Sequence, residues 1–376
     1  MTVLHVSGAQ VWGGNEQQLI YLIDELNVQG VKQILFCYKD TPLYDAASKE
    51  NIEIISSEPF GVYSNQYRKF LSSIVHTHDI DILHLHTSDA ITGYVVTDIF
   101  KSLKTAALIA RRGVRNKVGL LSKLKYNYKN IDGILCNSKY VKAHFSPVLS
   151  EKNKEKLVIV YSGLRIEDIP KSADYQVREK LNLSPETFLI GNIANHTNAK
   201  DLPTLVKVVD HLVNKLNFKD FHLVQFGDFS RNTEVLKEMI KEKNLESYIT
   251  FMGFVSSASS FLPQFDVFLM TSEREGGPTT VIESLYHRIP VISTRVGVVD
   301  EVIEDGVNGF TAEVRDVEGL AERIIKFKNS PELAKQFTDL SYAIFEKKFI
   351  GGQLGKNTLA VYENLIRKHS GSKKKN

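Results

Sequence analysis

Strand-like and helix-like segments alternate along the first part of this chain, and this alternation constrains the fold more than any other feature. Short apolar runs predict strands at residues 3–7, 32–38, 52–55, 82–85, 107–110, 133–136 and 158–160. Amphipathic patterns lie between several of them, as at residues 16–29, where Leu19, Ile23 and Leu26 share one helix face. Strands that are connected through helices form parallel sheets, so the pattern predicts a doubly wound α/β domain.

The same alternation starts again near residue 188. Strands are predicted at residues 188–193, 221–226, 249–251, 267–270, 290–294 and 309–313. Since 376 residues exceed the usual size of a single core, two domains are expected. We predict a first domain at residues 1–163, a connection at 164–184, and a second domain at 185–350. Residues 351–376 are predicted to hold a C-terminal helix, at about 355–367, and a short basic tail.

The composition is that of an ordinary soluble globular protein, with 43% hydrophobic residues, 24% charged residues and a net charge of +3. Cys37 and Cys136 are the only cysteines, so a reducing compartment is expected rather than a disulfide framework. The N-terminus lacks a basic leader with an apolar core, and no uninterrupted apolar stretch approaches the length of a membrane span. We therefore expect a cytoplasmic protein.

Residues 275–283, which read Glu-Gly-Gly-Pro-Thr-Thr-Val-Ile-Glu, contain the strongest candidate for a ligand site. Pro278 suits the first turn of a helix, so a helix is predicted to begin there or at Thr279. The start of a helix offers unpaired N–H groups and a partial positive charge, and a phosphate is stabilised by both. The amides near Thr279 and Thr280 are therefore expected to bind a diphosphate.

The two glutamates of this segment stand eight positions apart, the first in the glycine-rich turn and the second inside the predicted helix. Gly276 and Gly277 allow a ligand to approach the backbone closely. Glu275 is then suited to a sugar hydroxyl and Glu283 to a ribose, which would make the segment the donor half of a nucleotide-sugar site. From the residues alone, two ordinary surface carboxylates explain the pattern equally well.

The pattern Glu-Gly-x-Pro-x4-Glu at 275–283, followed by Pro-Val-Ile at 290–292 and Gly-x3-Glu at 297–301, resembles the retaining family-4 glycosyltransferases, or glycosyl transferases group 1. The resemblance continues through residues 304–310. It implies an α/β GT-B fold, in which two Rossmann-like doubly wound parallel-sheet domains face each other across a cleft. It also implies transfer of a sugar from a nucleotide-diphosphate donor to a hydroxyl acceptor with retention at the anomeric carbon.

The resemblance implies a role for one loop and one histidine of the first domain. Gly13 and Gly14 follow the first predicted strand, where adjacent glycines are often only a tight turn, but the family brings this loop to the donor diphosphate. His86 ends the strand at 82–85, where related enzymes have a histidine near the reacting sugar. His84 points the same way but deeper, so a packed core position is expected for it.

No metal site is expected in this chain. The Asp79-x-Asp81 pair precedes a strand, whereas metal-binding pairs of this kind in other glycosyltransferases follow one. The histidines between residues 76 and 86 alternate on an extended segment, which is a weak signal for zinc.

Residues 195–201 depart from the family pattern. The family has Gly-Arg-x4-Lys, and both cations hold the donor diphosphate; Lys200 fits the lysine, but Asn195 takes the place of the arginine. An amide has no charge and no bidentate fork. We therefore expect weaker donor binding or a compensating cation, for which Arg274 and His196 are candidates.

Two further loops border the base and ribose in the family. Gly227 ends the strand at 221–226, and Val255 follows the strand at 249–251. Plain turns between strand and helix are an equal explanation for each. The predicted catalytic residues are then Lys200, Glu275 and His86.

A basic run from residue 99 to 131 contains nine Lys or Arg and no Asp or Glu. Apolar residues recur in it at helical spacing, which is typical of a segment that lies on an anionic membrane. A solvated helix face is the plain alternative, and no nucleic-acid-binding signature accompanies the charges. On the acceptor side of the family fold, the candidates for anionic contacts are Arg111, Arg112, Arg115 and Lys117.

The expected reaction uses no cofactor, because the nucleotide sugar is itself a substrate. Lys200 and the helix amides would stabilise the leaving nucleoside diphosphate without a metal. A UDP-sugar is the expected donor, and a glycan or lipid-linked acceptor in cell-surface polysaccharide or lipopolysaccharide synthesis is the expected partner, at the inner face of the membrane. Alternatives are a catalytically inactive GT-B scaffold, which Asn195 alone favours, and a nucleotide-sugar epimerase or a phosphorylase of similar fold.

Overall fold

The computed structural model describes residues 1–114, 118–169, 172–255, 257–350 and 352–373, with the side chains of 370–373 left aside. The chain divides into two compact units. The first comprises residues 1–163 together with the segment that follows Ile350, and the second comprises residues 164–350. Each unit contains its own parallel sheet with helices on it, as the sequence pattern predicts.

Within the described residues, the first unit has seven strands in one parallel sheet. They are Thr2–Val6 (β1), Lys32–Tyr38 (β2), Glu53–Ser57 (β3), Ile82–Leu85 (β4), Ala106–Arg111 (β5), Gly133–Cys136 (β6) and Leu157–Ile159 (β7). Their order across the sheet is β3-β2-β1-β4-β5-β6-β7. The order reverses between β1 and β4, and such a switch point is where open α/β sheets bind ligands.

Helices cover this first sheet. They are Gly14–Val28 (α1), Pro42–Ala47 (α2), Asn65–Thr77 (α3), Ser88–Lys101 (α4), Leu120–Tyr126 (α5), Lys139–Phe145 (α6) and Glu151–Lys154 (α7). Local sequence explains several of their starts. The hydroxyls of Ser64, Thr87 and Ser138 accept hydrogen bonds from backbone N–H groups in the first turns of α3, α4 and α6.

In the second unit, the described residues form six strands of one parallel sheet. They are Phe188–Ile193 (β8), Phe221–Phe226 (β9), Ile249–Gly253 (β10), Val267–Met270 (β11), Val291–Thr294 (β12) and Phe310–Ala312 (β13). The order is β10-β9-β8-β11-β12-β13, so the switch point of this sheet lies between β8 and β11. The helices are Val177–Lys180 (α8), Leu202–Asp210 (α9), Thr233–Glu242 (α10), Thr279–Tyr286 (α11), Val299–Val302 (α12), Val317–Asn329 (α13) and Pro331–Phe349 (α14).

The predicted connection at 164–184 belongs to the second unit in the structure. Arg178 forms an ion pair with Asp266, with 2.6 Å between Nη2 and Oδ2, and it also donates to the carbonyl of Gln264. The backbone N–H of Val177 donates to the side chain of Gln264. These contacts tie the segment to the second unit, because a charged side chain and a backbone N–H group of the segment find partners there. Residues 170 and 171 lie outside the described residues.

The last helix, Gln353–Lys373 (α15), is longer than the predicted 355–367 and belongs to the first unit. Leu354, Tyr362 and Leu365 are buried in a cluster with Val3 of β1 and Leu22 of α1. Gly351 and residues 374–376 of the predicted tail lie outside the described residues. No helix in the described part of the chain has both the length and the apolar character needed to cross a bilayer.

Candidate functional site

The loop after β11 packs onto the loop after β8, at the switch point of the second sheet. The backbone N–H groups of Glu273 and Arg274 both donate to the carbonyl of Ala199, at 2.9 and 3.2 Å. The Thr294 hydroxyl at the end of β12 donates to the carbonyl of Ser272 at 2.6 Å. Because the carboxyl ends of parallel strands meet at one edge, three strand ends thus hold this loop in place.

This packing brings two of the predicted site residues into contact. The ammonium Nζ of Lys200 lies 2.5 Å from Oε1 of Glu275, and the hydroxyl of Ser272 donates to the same oxygen at 2.8 Å. The side chains of Lys200 and Glu275 are 29% and 12% exposed, so both are reachable from solvent. A positive and a negative group are therefore held side by side at the edge of the sheet where the strands have their carboxyl ends.

Helix α11 begins at Thr279, with Pro278 as its N-cap residue. The first amides of a helix have no intrahelical acceptor, so those of Thr279 and Thr280 are available to an anion. Glu283 is the fifth residue of this helix, a little over one turn from its start. Burial raises the pKa of the Glu283 carboxyl to about 7, from an ordinary value of 4.5.

Two glycines near the site are required by backbone packing. Gly297 has φ of +61°, and a Cβ on it would lie 2.8 Å from the carbonyl oxygen of Gly276 and 3.0 Å from Cβ of Glu275. Gly227 has φ of +154°, and a Cβ there would lie 2.0 Å from the carbonyl oxygen of Ala194. Backbone packing therefore explains the glycine at position 227 without a ligand. Val255 lies partly buried in the loop after β10.

The side chain of Asn195 is exposed and tied to the neighbouring loop. Its Oδ1 accepts a hydrogen bond from the backbone N–H of Asp228 at 2.9 Å. His196, suggested by the sequence as a compensating cation, is 1% exposed, and its two ring nitrogens contact Gln225 and Thr233. Burial lowers the pKa of His196, so it is a neutral structural residue.

The other suggested cation, Arg274, remains a candidate. Its Nε is buried and has no hydrogen-bond partner among the described residues. A further cation that the sequence reasoning missed is Arg315, whose guanidinium contacts Glu273 at 3.2 Å and is 66% exposed. It is far from the motif in sequence, and only the fold places it beside this loop.

At the switch point of the first sheet, a cavity of about 270 Å³ contains His86, Arg111 and Arg112 in its lining. Asn15, which follows Gly14, lines the same cavity. A Cβ on Gly14 would meet no described atom within 4 Å, so packing does not explain this glycine. Burial lowers the pKa of Arg112 to about 10, and the guanidinium stays charged at neutral pH.

The apolar residues that recur at helical spacing in the basic run do not share one face in the described part of the chain. Val114, Val118 and Tyr128 pack against the core of the first unit, and Lys125 donates to the hydroxyls of Ser88 and Thr92. The intervening helix α5 instead exposes three leucines, with exposures of 63 to 80%: Leu120, Leu121 and Leu124. The predicted contacts Arg115 and Lys117 lie outside the described residues.

Three histidines meet on one face of the first sheet. His84 on β4 is fully buried, as expected, and its Nδ1 contacts the hydroxyl of Tyr362 at 2.7 Å. His5 on β1 is the register partner of His84, and its Nδ1 lies 3.0 Å from Nε2 of His86. One nitrogen from each histidine lies within 4.8 Å of the others. The sequence reasoning missed His5, although aligning β1 with β4 would have indicated it.

The aspartates of the Asp79-x-Asp81 pair have structural positions. Asp79 is in a left-handed turn with φ of 49°. Oδ2 of Asp81 accepts a hydrogen bond from the backbone N–H of Thr2 at 2.8 Å, which connects the turn to β1.

Comparison with known proteins gives consistent results. Residues 175–343 match the family model described as Glycosyl transferases group 1. An uncharacterized glycosyltransferase of Methanocaldococcus jannaschii is 26% identical over 304 residues, 79% of each protein. The O-antigen biosynthesis glycosyltransferase WclY of Escherichia coli is 26% identical over 210 residues, 56% of each protein. The crystal structure of Anabaena HepE in complex with UDP has a similar fold, with a TM-score of 0.83 at 16% identity, over 97% of this chain and 100% of that one.

Proposed function

We propose that this glycosyltransferase, whose residues 175–343 are a domain of the group-1 family, transfers a sugar from a UDP-sugar to a glycan or lipid-linked acceptor. The transfer is proposed to retain the configuration at the anomeric carbon. The GT-B fold expected from the resemblance is confirmed by the two parallel sheets and by the structural neighbours. The observation that carries the proposal is the contact between Lys200 and Glu275 at the switch point of the second sheet.

The proposed diphosphate site combines a cation with helix amides. Lys200 faces the phosphates, and the first N–H groups of α11 at Thr279 and Thr280 add donors with a partial positive charge. Gly276 and Gly277 leave the loop before α11 open to close approach. These groups stabilise the negative charge that develops on the leaving diphosphate, and the reaction then needs no metal.

The proposed sugar and ribose contacts use the two glutamates. Glu275, held by Lys200 and Ser272, accepts hydrogen bonds from the sugar hydroxyls, and Glu283 accepts from the ribose. Gly227 and Val255 remain predicted neighbours of the base and ribose. The UDP in the HepE structure supports a uridine nucleotide for this chain.

In the proposed reaction the acceptor oxygen forms a bond to the anomeric carbon on the face from which the diphosphate leaves. The bond between that carbon and the diphosphate oxygen breaks, and the acceptor proton passes to the leaving phosphate. The centre passes through an oxocarbenium-like state, as in glycoside hydrolysis. No residue is assigned as a covalent nucleophile, and His86 is assigned to the reacting sugar and Gly14 to the diphosphate.

Asn195 weakens this site without abolishing it. Its Oδ1 is used by the Asp228 amide, so only the Nδ2 group is left for a phosphate oxygen. Charged donors make hydrogen bonds about twice as strong as neutral ones. Arg274 and Arg315 are the proposed compensating cations, because Arg274 belongs to the loop after β11 and the Arg315 guanidinium contacts Glu273 of that loop.

The acceptor is proposed to be anionic and to belong to polysaccharide or lipopolysaccharide synthesis. Arg111 and Arg112 give the first-unit cavity a positive lining. Nearby in sequence, α5 exposes an apolar patch of Leu120, Leu121 and Leu124 together with Lys123. Apolar residues beside lysines bind anionic lipid surfaces. This combination supports a peripheral position at the cytoplasmic face of the membrane, and the O-antigen role of WclY supports a function in polysaccharide or lipopolysaccharide synthesis.

The experiment that tests the function is a thermal-shift and calorimetric screen against UDP, GDP, ADP, CDP and their common sugars, with and without EDTA. Selective stabilisation by uridine nucleotides that EDTA leaves unchanged is the expected result. Stabilisation by another nucleotide would correct the donor base. No response to any nucleotide would overturn the proposal and favour the inactive scaffold, to which Asn195 points. Interconversion of the bound sugar without its consumption would indicate an epimerase.

A further inference from the structure

The three-histidine cluster of the first unit continues into a chain of side-chain amides. On β2, Gln33 is 6% exposed, and its Nε2 donates to the carbonyl of Ile23 at 2.8 Å and to Oδ1 of Asn27 at 2.8 Å. Nδ2 of Asn27 donates to the carbonyl of Asn51 at 2.9 Å. Backbone carbonyls only accept hydrogen bonds, so the orientations of both amides are fixed by chemistry.

The fixed orientation of Gln33 determines which nitrogen of His5 carries a proton. Oε1 of Gln33 lies 3.0 Å from Nε2 of His5, and an amide oxygen only accepts. His5 therefore has its proton on Nε2. Burial lowers the pKa of His5 to about 4, so the ring is neutral near pH 7 and its Nδ1 has a free electron pair.

That electron pair determines the tautomer of His86 in turn. Nδ1 of His5 lies 3.0 Å from Nε2 of His86, and one of the two must donate. Since His5 accepts here, His86 carries its proton on Nε2. Burial, the neighbouring imidazoles and Arg112 lower the pKa of His86 well below its ordinary value, so His86 is neutral as well. Its Nδ1 is then a hydrogen-bond acceptor.

We propose that Asn27, Gln33 and His5 are positioning residues that hold His86 in the Nε2-protonated tautomer, so that Nδ1 accepts a hydrogen bond from a substrate hydroxyl in the 270 Å³ cavity. This assignment rests on the proposed function, because it supposes a sugar at His86. It specifies that His86 accepts from the sugar and does not donate to it. A hydroxyl is the group that fits, since a phosphate oxygen has no proton to donate to this nitrogen.

A metal ion is the competing use of the same nitrogens. One nitrogen each from His5, His84 and His86 lies within 4.8 Å of the other two. However, Nδ1 of His5 and Nε2 of His86 already contact each other. Arg112 also lies close enough to disfavour a second positive charge there. The distances therefore support the hydrogen-bonded chain over a metal site.

The test is nitrogen NMR on the full-length protein labelled with ¹⁵N-histidine, with His86 assigned by the signals that a His86→Gln variant lacks. The tautomer is measured for the wild type, His5→Phe, His5→Asn and Gln33→Met. His5→Phe removes the acceptor, whereas the side-chain oxygen of His5→Asn replaces it. His222→Phe is the matched control, since His222 is also buried and hydrogen-bonded at both nitrogens, but in the second unit. Thermal melts check that each variant folds.

We expect the proton on Nε2 of His86 in the wild type and in His5→Asn, and a mixture of tautomers in His5→Phe. With UDP-glucose as the probe, kcat for UDP release should fall about tenfold in His5→Phe, while KM changes less than about twofold. His5→Asn should recover most of kcat, and His222→Phe should keep it. If His5→Phe does not fold, Gln33→Met takes its place in this comparison.

Three results would overturn the assignment. They are a proton on Nδ1 of His86 in the wild type, a His86 tautomer unchanged in both His5→Phe and Gln33→Met, and stoichiometric zinc that is lost in His5→Phe. The NMR result needs no substrate. If the wild type does not process any nucleotide sugar, the proposed function fails while the tautomer is still decided.

Discussion

Lys200 and Glu275 are separated by 75 positions in sequence, and yet their side chains form a 2.5 Å ion pair. In the proposed site, one serves the diphosphate and the other the sugar. A bound donor therefore contacts two groups that already attract each other. The pair keeps both side chains in place before the donor arrives, which is the preorganisation that electrostatic catalysis requires.

Removing either partner of this pair should cut turnover strongly. We expect Lys200→Ala and Glu275→Ala each to lower kcat by about 100-fold to 1,000-fold, as for other preorganised charge-stabilising groups. The double variant should cost less than the product of the two, since each single change already disrupts the pair. Steady-state kinetics with circular dichroism as the fold control measures this. Unchanged turnover in both single variants would contradict the site assignment.

Restoring a cation at position 195 should strengthen nucleotide binding. Asn195→Arg adds a bidentate, charged donor, and we expect the Kd for UDP to fall about tenfold. Asn195→Asp is the matched control, because it keeps an oxygen for the Asp228 amide but adds a negative charge. It should weaken UDP binding. Isothermal calorimetry compares the three proteins, and equal affinities would show that position 195 does not face the phosphates.

Glu283 should make both stability and donor binding depend on pH. Its pKa is about 7 in the folded protein and 4.5 as an ordinary carboxyl, so the folded state holds the proton more tightly. Its stabilising contribution is then complete below pH 4.5 and is lost as the pH rises through 7. Relative to Glu283→Gln, the wild type should lose melting temperature over this range when no nucleotide is bound.

Donor binding should respond in the opposite direction. The ribose hydroxyls donate to an ionised carboxylate, so wild-type affinity for UDP-glucose, whose diphosphate does not titrate in this range, should rise between about pH 5 and pH 8, with proton release. Glu283→Gln should show a flat profile. Calorimetry in buffers with different ionisation enthalpies counts the released protons, and release by the Gln variant would assign them to another group.

Two glycines with positive φ allow the loop before α11 to be tested by a matched pair. Gly297→Ala would place a Cβ 2.8 Å from the carbonyl oxygen of Gly276, whereas Gly306→Ala, at φ of +75°, would meet no described atom within 4 Å. Gly306→Ala should cost about 1 kcal/mol of stability from backbone strain, and Gly297→Ala should cost more because its Cβ also meets the Gly276 carbonyl. Only Gly297→Ala should also lower kcat/KM, because it displaces the Glu275 loop. Urea unfolding and kinetics on both variants separate the two effects.

The leucines of α5 should bind the membrane surface. We expect the wild type to co-sediment with phosphatidylcholine vesicles that contain phosphatidylserine, and poorly with pure phosphatidylcholine. Replacing Leu120, Leu121 and Leu124 by serine should weaken binding at least about tenfold. Val28→Ser is the control, since Val28 is 84% exposed on a different helix. Equal binding by the triple variant would place the lipid contact elsewhere.

The sequence predicted the two sheets well, because buried parallel strands are short continuous apolar runs with clear ends. Each predicted strand corresponds to one in the structure. The start of α11 was also predictable, since Pro278 and the preceding glycines are local signals. The family resemblance assigned Lys200 and Glu275 to one site, but their direct contact was not predicted, since no local pattern relates two loops that far apart.

The errors have one physical cause, which is that burial depends on tertiary structure. His196 looked like a free cation, but it is enclosed by Gln225 and Thr233. The basic run looked like an amphipathic segment with one apolar face, but its flanking apolar residues pack inward while the leucines of α5 face solvent. His5 was missed because its partner His86 is 81 positions away.

Helix α15 gives the first unit an unusual dependence on the order of synthesis. The hydroxyl of Tyr362 contacts His84 from 278 positions further along the chain, and Leu354 and Leu365 complete the same buried cluster. Residues 1–163 therefore leave the ribosome long before the helix that covers one face of their sheet. Domains usually fold in the order in which they are made. Here the second unit has all its residues first, and the unit that begins the chain is the last to be completed.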